Sequence, residues 1–378
     1  MQQSPAPVPP ASLAPTPRIW TANTLGLDYR TEAARLGPPP TPIIDVHTHI
    51  QGVQASRVYD EVRRLYGVRL TYSMTPIEHA AAVRDAMADT VRFIAVPTWS
   101  DPDRSRAHRA GFLETIERFH RDFGARILKI WAAPRLRELI PDGATDLWEI
   151  DSPWRVKACE LGERLGMMYM VHVADPDTWF ATRYADPSKY GTKRSQYEGL
   201  ERMLDRFTAP WIAAHFGGWP EDLAFLDGLL SRHPNLYLDT SATKWMVREL
   251  SRHPREALLE FFTRWRGRLL FGSDIVAIED HLKPAKATTS PMADLADSPD
   301  AAFELYASRY WALRTLLETA YDGPSPIADP DLMMVDPANH TPMSAPRLRG
   351  AALPPDLLAT LYAGAAENLL GSWERAHP

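Results

Sequence analysis

The stretch IIDVHTHI, residues 43–50, is an apolar run that ends in two histidines two positions apart. Alternate side chains of a β-strand point to opposite faces, so His47 and His49 project from the same face of a strand formed here. Two imidazoles on one face can bind Zn²⁺ or a similar divalent ion together. The stretch therefore predicts a buried strand that carries two metal ligands near its carboxyl end.

Further apolar runs recur along the chain at residues 68–72, 91–96, 127–131, 167–173, 211–214, 236–238 and 269–271. Segments with helical spacing of apolar residues lie between them, at residues 76–87, 104–123, 154–165, 221–230 and 254–265. Continuous apolar strands that alternate with helices are typical of a parallel sheet covered on both faces. Eight such strands predict an α/β fold, namely a (β/α)8 TIM barrel. A six-stranded open sheet is the alternative, because the run at 68–72 is the weakest strand signal.

Two segments fall outside this alternation. Residues 1–41 are rich in proline and predict an extended, disordered arm without the apolar core of a secretory signal, which leaves 42–378 for the barrel. Residues 277–355 predict an insertion after the eighth strand, with a helix around 301–320. An amphipathic helix over 355–370, ending at Gly371, closes the predicted fold.

The composition excludes several classes of partner. The 378 residues carry a net charge of -6, so no basic surface for nucleic acid is expected. No apolar run approaches the ~20 residues of a membrane helix. Cys159 is the only cysteine, which excludes an intrachain disulfide and a thiolate metal cluster. These features predict a cytoplasmic protein that acts on a small molecule.

Three later strand ends also carry residues of metal-ligand type. His172 ends the run YMVH, His215 follows WIAA, and Asp274 follows LLFGS. Each of them alone is explained as well by a core histidine or a capping aspartate. Together with His47 and His49 they predict a metal site at the mouth of the barrel, where the carboxyl ends of the strands meet.

Lys129 lies inside the apolar run ILKIW, where a lysine is costly without a partner or a role. Three interpretations are open. The lysine is carbamylated and bridges two metals, or it binds a substrate carboxylate, or its side chain extends out of the end of the barrel. The sequence does not separate them.

Aromatic and basic residues cluster shortly after the strand ends: Trp99, Trp131, Arg135, Trp179, Arg183, Trp219, Lys244, Trp245 and Arg248. Such side chains suit a planar, anionic organic substrate, although each is equally well explained by packing or surface charge. Trp131 and Trp219 are the strongest candidates for substrate contact, because they follow the strands that supply Lys129 and His215.

The sequence resembles the amidohydrolase superfamily in the phrases IIDVHTHI, ARILKIW, MYMVHVADP, WIAAHFGGWPEDL, HPNLYLDTSA, RLLFGSDI and LYAGAAENLLG. It is most similar to the amidohydrolase-related branch, which holds aminocarboxymuconate-semialdehyde decarboxylase-like enzymes and related metal-dependent hydrolases. The resemblance covers about residues 42–280 and the last helix. In that helix the family usually has Asn-Ala where this chain has Ala365-Ala366.

This resemblance implies a role for each strand-end residue. His47, His49, His172 and Asp274 would bind the metal, most simply Zn²⁺, with Mn, Fe or Co as alternatives. His215 would act as a general acid or base beside an activated water, or would bind a second metal if Lys129 is carbamylated. Asp274 would also accept a proton from that water.

Three functions follow from these roles. The first is a metal-dependent hydrolase of an amide, ester or lactone, and the second is a non-oxidative decarboxylase of an aromatic or muconate-like acid. The third is an inactive metal-binding barrel that serves as a binding module. We also hypothesise a homodimer formed through the insertion.

Overall fold

The computed structural model describes residues 19–284 and 293–377, and its central strands are buried and parallel. The strands are β1 (Ile43–Ile50), β2 (Val68–Ser73), β3 (Val91–Phe93), β4 (Ile127–Trp131), β5 (Met168–His172), β6 (Trp211–Ala213), β7 (Leu236–Asp239), β8 (Leu269–Leu270), β9 (Ile275–Ala277), β10 (Asp322–Pro324) and β11 (Arg347–Arg349). One sheet has the order β3-β2-β1-β9 and another β4-β5-β6-β7-β8, while β10 and β11 form an antiparallel pair.

Backbone hydrogen bonds connect the two parallel sheets. Lys129 N donates to Ala95 O at 2.8 Å, and Val46 N donates to Phe271 O at 2.9 Å. The result is an α/β fold with parallel sheets, which is consistent with the predicted TIM barrel. The run at 68–72, the weakest strand signal, forms β2, which pairs with both β1 and β3. The weakness of this signal was the reason for considering a six-stranded open sheet, and that reason no longer holds.

Helices surround these strands, and about half of them follow a strand directly. They are α1 (Tyr29–Leu36), α2 (Val53–Leu65), α3 (Ile77–Met87), α4 (Arg104–Ala107), α5 (Ala110–Phe123), α6 (Leu136–Leu139), α7 (Pro153–Arg164), α8 (Asp177–Phe180), α9 (Pro187–Tyr190), α10 (Lys193–Arg206), α11 (Leu223–Arg232), α12 (Thr243–Leu250), α13 (Arg255–Arg264), α14 (Pro299–Glu318), α15 (Pro330–Val335), α16 (Pro355–Ala359) and α17 (Ser372–Ala376). Among the described helices, none combines the length and apolar character that a membrane span requires.

The N-terminal arm is partly structured. Asp28 caps α1 by accepting hydrogen bonds from the backbone N–H groups of Arg30 and Thr31, and Tyr29 and Ala33 are buried. The helix packs against α14 of the insertion. The prediction of an extended, disordered arm is therefore wrong for this segment, because its apolar residues find a partner far along the chain. Residues 1–18 of the predicted arm lie outside the described residues.

The insertion contains the predicted helix, confirmed as α14. Its side chains are largely buried because it packs against α1, α2 and α12 of the same chain. The homodimer formed through the insertion stays a prediction. The last helix also differs from expectation, since helical structure alternates between α and π hydrogen bonding and continues through Gly371 to Ala376.

Candidate metal centre

The two histidines of β1 converge with the aspartate that follows β8. His47 is fully buried and His49 is half-buried. Asp274 Oδ1 lies 3.4 Å from His47 Nε2 and 3.2 Å from His49 Nε2. A backbone hydrogen bond from Asp274 N to His47 O, 2.8 Å long, fixes the two strand ends together. These three donor atoms lie within 4.8 Å of one another, a spacing that a single metal ion can bridge.

Asp239, the last residue of β7, orients His47. The His47 Nδ1–H group donates to Asp239 Oδ2 at 2.8 Å, and both side chains are fully buried. The bond fixes the ring so that the Nε2 lone pair faces Asp274 and His49. Burial and the Lys129 ammonium favour neutral His47, but the carboxylates of Asp239 and Asp274 outweigh them and raise its pKa. Carboxylate partners of this kind are typical of metal-ligating histidines.

A second imidazole pair is formed by His172 and His215. His172 Nδ1 and His215 Nε2 lie 3.1 Å apart. The indole Nε1–H of Trp131 can only donate, and it points at His172 Nδ1 from 3.0 Å, so that nitrogen presents a lone pair. The ring proton is then on Nε2, which donates to Asp175 Oδ1 at 2.9 Å.

The hydrogen bonds of His215 fix its other nitrogen in a similar way. The Ser241 hydroxyl donates to Asp239, so its oxygen accepts a hydrogen bond from His215 Nδ1–H at 2.8 Å. His215 Nε2 consequently also presents a lone pair, on the side of His172 Nδ1, whose own lone pair accepts from the Trp131 indole. Among the described residues no donor serves the lone pair of His215 Nε2, so it can accept a cation or an added proton.

The backbone is unusual at the same loops. His215, Ala242 and Asp274 have φ angles of 58°, 63° and 60°, in the left-handed region that residues with a side chain rarely adopt. Such conformations cost of order 1–3 kcal/mol each and cluster at functional sites. Position 272, two residues before Asp274, requires glycine, because a Cβ there would lie 2.9 Å from the His47 Cβ.

Lys129 lies inside this cluster. Its Nζ is 2.9 Å from His47 Nε2, and the residue is only 5% exposed. The interpretation in which its side chain extends out of the barrel is therefore wrong, because β4 places it on the inner face beside β1. Burial lowers the pKa of the Lys129 amine to about 8, although the carboxylates of Asp274 and Asp239 oppose this.

The charge states of the acid and base candidates differ. Burial raises the pKa of Asp274, but its interactions with the His47 and His49 rings outweigh this effect and bring the pKa well below its usual range. Burial also lowers the pKa of His215, and the neighbouring His172 adds to this effect. The centre therefore combines an ionised carboxylate with a neutral imidazole.

Of the predicted substrate-contacting tryptophans, Trp131 lies at the centre through its bond to His172. Trp219 instead packs in an aromatic cluster, with ring centroids 5.5 Å from Tyr197 and 4.6 Å from Phe225. Trp245 takes the position beside the histidines, its ring 5.5 Å from that of His215 in an edge-to-face arrangement.

The amidohydrolase family model matches residues 44–371, which span most of the chain. The chain belongs to the amidohydrolase family. A crystal structure of an amidohydrolase from Burkholderia multivorans with bound HEPES is similar to this amidohydrolase at 14% identity, covering 87% of this chain and 99% of the other with a TM-score of 0.42. A search of curated proteins finds no match.

Members of this family typically bind a divalent metal, and the donor set of this amidohydrolase fits one. His47, His49 and Asp274 offer three close donor atoms of the type that Zn²⁺ prefers. His47, His215 and Asp239 form a second group of close donor atoms. Among the described residues, no group of three close donors includes His172, so its predicted place beside His47 stays a prediction.

Several residues of this amidohydrolase site were missed in the sequence, among them Asp239, Asp175 and Ser241. Asp239 ends the strand β7, in the same way that Asp274 follows closely after β8. Its position at a strand end could therefore have identified it as a site residue. Ser241 contacts His215 from the loop after β7, and nothing in its local sequence distinguishes it from an ordinary loop serine.

Proposed function

We propose that this amidohydrolase is a metal-dependent hydrolase that cleaves an amide, ester or lactone of a small organic substrate, on strands that close into a (β/α)8 barrel. The observation that carries the proposal is the convergence of His47 Nε2, His49 Nε2 and Asp274 Oδ1 beside a neutral His215. A divalent ion, such as Zn²⁺, Mn²⁺, Fe²⁺ or Co²⁺, supplies Lewis acidity and lowers the pKa of a bound water to roughly 7.

The residues of the chain supply the proton transfers. Asp274 is ionised, and among the described residues its Oδ2 accepts no hydrogen bond, so this oxygen is available to take a proton from the attacking water. His215 is neutral with a lone pair on Nε2, so it can accept a proton and return it to the leaving group. Ser241 and Asp239 hold His215 in that tautomer.

Asp239 orients the imidazole of His47, and Asp175 orients that of His172. Each accepts a hydrogen bond from the nitrogen of its histidine that faces away from the centre, so the other nitrogen keeps its lone pair. The Tyr184 hydroxyl donates to Asp175 Oδ2 at 2.6 Å and fixes this carboxylate in turn. Outer partners of this kind hold the donor atoms in place before substrate binds.

The chemical state of Lys129 determines whether the centre holds one ion or two. The lone pair of His47 Nε2 cannot serve the Lys129 ammonium and a metal at once, so metal binding must displace the Lys129 head group or convert it to a carbamate. A displaced ammonium would bind a substrate carboxylate, whereas a carbamate would bridge two ions.

A decarboxylase acting on an aromatic or muconate-like acid is the second candidate. The buried Lys129 favours it, because a cation at the centre would bind the carboxylate that is to be lost. An inactive binding module is the third candidate, and nothing in the retained donor set favours it.

The test begins with metal content per chain, measured on protein purified without a chelator or an affinity tag. About one ion per chain supports a mononuclear hydrolase, and about two implicate a Lys129 carbamate. Hydrolysis of simple aryl esters and lactones is then compared with CO2 release from aromatic acids. His49→Asn should abolish metal binding and turnover, whereas His79→Asn on α3 should change neither. Absence of metal after reconstitution would refute the proposal.

A further inference from the structure

Asp331 links the insertion to the loop that follows β5. It lies in α15 and is 5% exposed. Its Oδ2 accepts hydrogen bonds from the Trp179 indole N–H at 3.0 Å and from the Thr178 hydroxyl at 3.3 Å. Both donors belong to α8, which follows the strand that ends in His172. The insertion therefore reaches the loop next to His172.

Arg248 adds a third segment to this contact. Its Nη2 pairs with Asp331 Oδ2 at 3.0 Å and donates to Thr178 Oγ1 at 3.2 Å. Arg248 belongs to α12, the helix after β7 that also carries Trp245. Hydrogen bonds in which one partner is ionised are about twice as strong as neutral ones. Asp331 therefore holds α8, α12 and α15 together.

The Asp331 carboxylate fixes the direction of the Trp179 ring, because the indole N–H can only donate and bonds to this carboxylate. The backbone at the ring is held as well. Trp179 N donates to Pro176 O at 2.9 Å, and the Trp179 carbonyl accepts from Tyr184 N at 2.8 Å. The Trp179 ring packs with its centroid 5.6 Å from that of Tyr184 and 6.4 Å from that of Trp245. Each of these two neighbours contacts the centre.

Tyr184 connects Trp179 to His172. Its hydroxyl donates to Asp175 Oδ2 at 2.6 Å, and Asp175 Oδ1 accepts from His172 Nε2 at 2.9 Å. Tyr184 is 2% exposed, so it has little room to turn while Trp179 packs against it. A change in the position of Trp179 would consequently move the carboxylate that sets the orientation of His172.

Trp245 connects Trp179 to both imidazoles. Its ring lies edge-to-face with His215 at a centroid distance of 5.5 Å and with His172 at 6.2 Å. Trp245 is half-buried, and the Trp179 ring meets it at an interplanar angle of 73°. Edge-to-face contacts between aromatic rings favour a defined geometry. Trp179 therefore limits the positions that Trp245 can take beside the two imidazoles.

We propose that Asp331, supplied by the insertion, is a positioning residue of the metal centre. It fixes the Trp179 ring, and that ring keeps Tyr184 and Trp245 in the contacts that orient the imidazoles. The inference rests on the proposed function, because these imidazoles include His215, the proposed acid or base. Removing the Asp331 carboxylate should therefore disturb His215 and not only the stability of the fold.

The first measurement does not depend on turnover. The ring nitrogen signals of His172 and His215 are recorded by NMR on the full-length protein with isotope-labelled histidine and measured metal content, and are assigned with His172→Asn and His215→Asn. Asp331→Ala should shift both signals, because the rings lose their fixed surroundings. Trp179→Phe should shift the same signals. The double variant should add nothing further, since both changes remove one hydrogen bond.

Matched variants separate positioning from charge balance. Asp331→Asn removes the charge but keeps an oxygen that accepts from Trp179, so it should retain the wild-type histidine signals. The Arg248 guanidinium keeps its other two carboxylate partners in every Asp331 variant. Asp300→Ala removes an exposed carboxylate of the insertion and should leave the histidine signals unchanged. If Asp331→Ala fails to fold, Trp179→Phe carries the test, because it leaves the buried charges in place.

The second measurement is the hydrolysis of phenyl acetate and 4-nitrophenyl acetate by the metal-loaded protein. Phenolate is the poorer leaving group and depends more on the proton that His215 returns. Asp331→Ala should lower kcat for phenyl acetate about tenfold, with a smaller loss for 4-nitrophenyl acetate and little change in KM, because orientation counts in the transition state. Asp331→Asn should keep kcat within about twofold of the wild type.

The two measurements distinguish failure of the positioning role from failure of the hydrolase. Shifted histidine signals in a protein that hydrolyses neither ester would support the positioning role and refute the hydrolase. Wild-type hydrolysis with unchanged histidine signals or unchanged kcat in Asp331→Ala would overturn the positioning role. The same would follow if Asp331→Asn behaved like Asp331→Ala, since the charge would then matter rather than the bond to Trp179.

Discussion

The Tyr310 hydroxyl donates a hydrogen bond to Asp45 Oδ2 at 2.8 Å, and so joins the insertion helix to the strand of the metal-site histidines. The same carboxylate accepts from Ser273 Oγ at 2.6 Å and from the backbone N–H groups of His47 and Ser273 at 3.1 Å. Asp45 therefore connects β1, the loop that carries Asp274, and α14. The insertion is part of the support of the centre.

Replacing Tyr310 with Phe should destabilise the protein by about 1.5–3 kcal/mol, the range for losing a hydrogen bond to a charged group. Burial raises the pKa of Asp45 to about 6, so the measurement is made at about pH 8, where this carboxylate is ionised. Urea unfolding followed by tryptophan fluorescence gives the change. Tyr321→Phe removes an exposed hydroxyl and should stay within about 0.5 kcal/mol. Equal effects of the two substitutions would mean that the Tyr310–Asp45 hydrogen bond does not stabilise the contact between α14 and β1.

Replacing Asp239 with Asn should weaken metal binding about 10–100-fold, the usual effect of losing a carboxylate that orients a ligand histidine. The amide no longer holds His47 Nδ1–H as strongly, so the ring loses its fixed direction. Competition with a chromophoric Zn²⁺ chelator measures the affinity. Asp205→Asn, at an exposed carboxylate, is the control. An unchanged affinity in Asp239→Asn would mean that His47 does not bind the metal through Nε2.

His108 should make the protein sensitive to mild acid. Burial, with help from the nearby Arg155, lowers the pKa of His108 to about 3, and neither ring nitrogen has a hydrogen-bond partner in the described part of the chain. The unfolded chain therefore binds a proton below its ordinary pKa of 6.5 that the folded chain does not. Stability falls as the pH falls, by about 2 kcal/mol between about pH 7 and about pH 5.

His108→Phe should remove that loss, because phenylalanine fills the space against Trp99 and takes up no proton. Urea unfolding of both proteins at the two pH values measures the difference. His79→Phe, at a half-buried position on α3, should keep the slope of the wild type. If His108→Phe kept it too, His108 would not be the group responsible.

Replacing Arg248 with Met should cost about 3–5 kcal/mol of folding free energy, because Asp329 and Asp331 would keep their buried charges without an ion-pair partner and Glu249 would keep only Arg252. Chemical denaturation measures the loss. Arg252→Met removes a second partner of Glu249 whose side chain is 72% exposed, and should cost less than about 1 kcal/mol. Similar losses in the two variants would show that the buried network contributes little.

The parts of the centre that lie on strands could be predicted from sequence. The two-residue period of β1 predicted that His47 and His49 lie on the same face. The position of Asp274 after the last predicted strand identified it as a candidate ligand. Asp239 was missed because an aspartate after a short apolar run is also typical of an ordinary turn. Strand β9 was missed because the left-handed residue Asp274 interrupts the run before Ile275–Ala277.

Contacts between distant segments could not be predicted in the same way. Helix α1 follows a proline-rich stretch, and its stability comes from packing against α14 rather than from local signals alone. The position of Trp219 away from the histidines likewise depends on Tyr197 and Phe225, which belong to neighbouring helices. Tertiary packing decides such cases.

The wide separation of bonded partners has a consequence for synthesis on the ribosome. His47 and Asp239 are 192 residues apart, and Asp45 and Tyr310 are 265 apart. At about 5–20 residues per second, the ribosome needs on the order of 13–53 s to make the chain between Asp45 and Tyr310. For most of that time the apolar strand Ile43–Ile50 can pair with β2 but lacks its other neighbour, β9. The nascent chain should therefore depend on chaperones until its last third is complete.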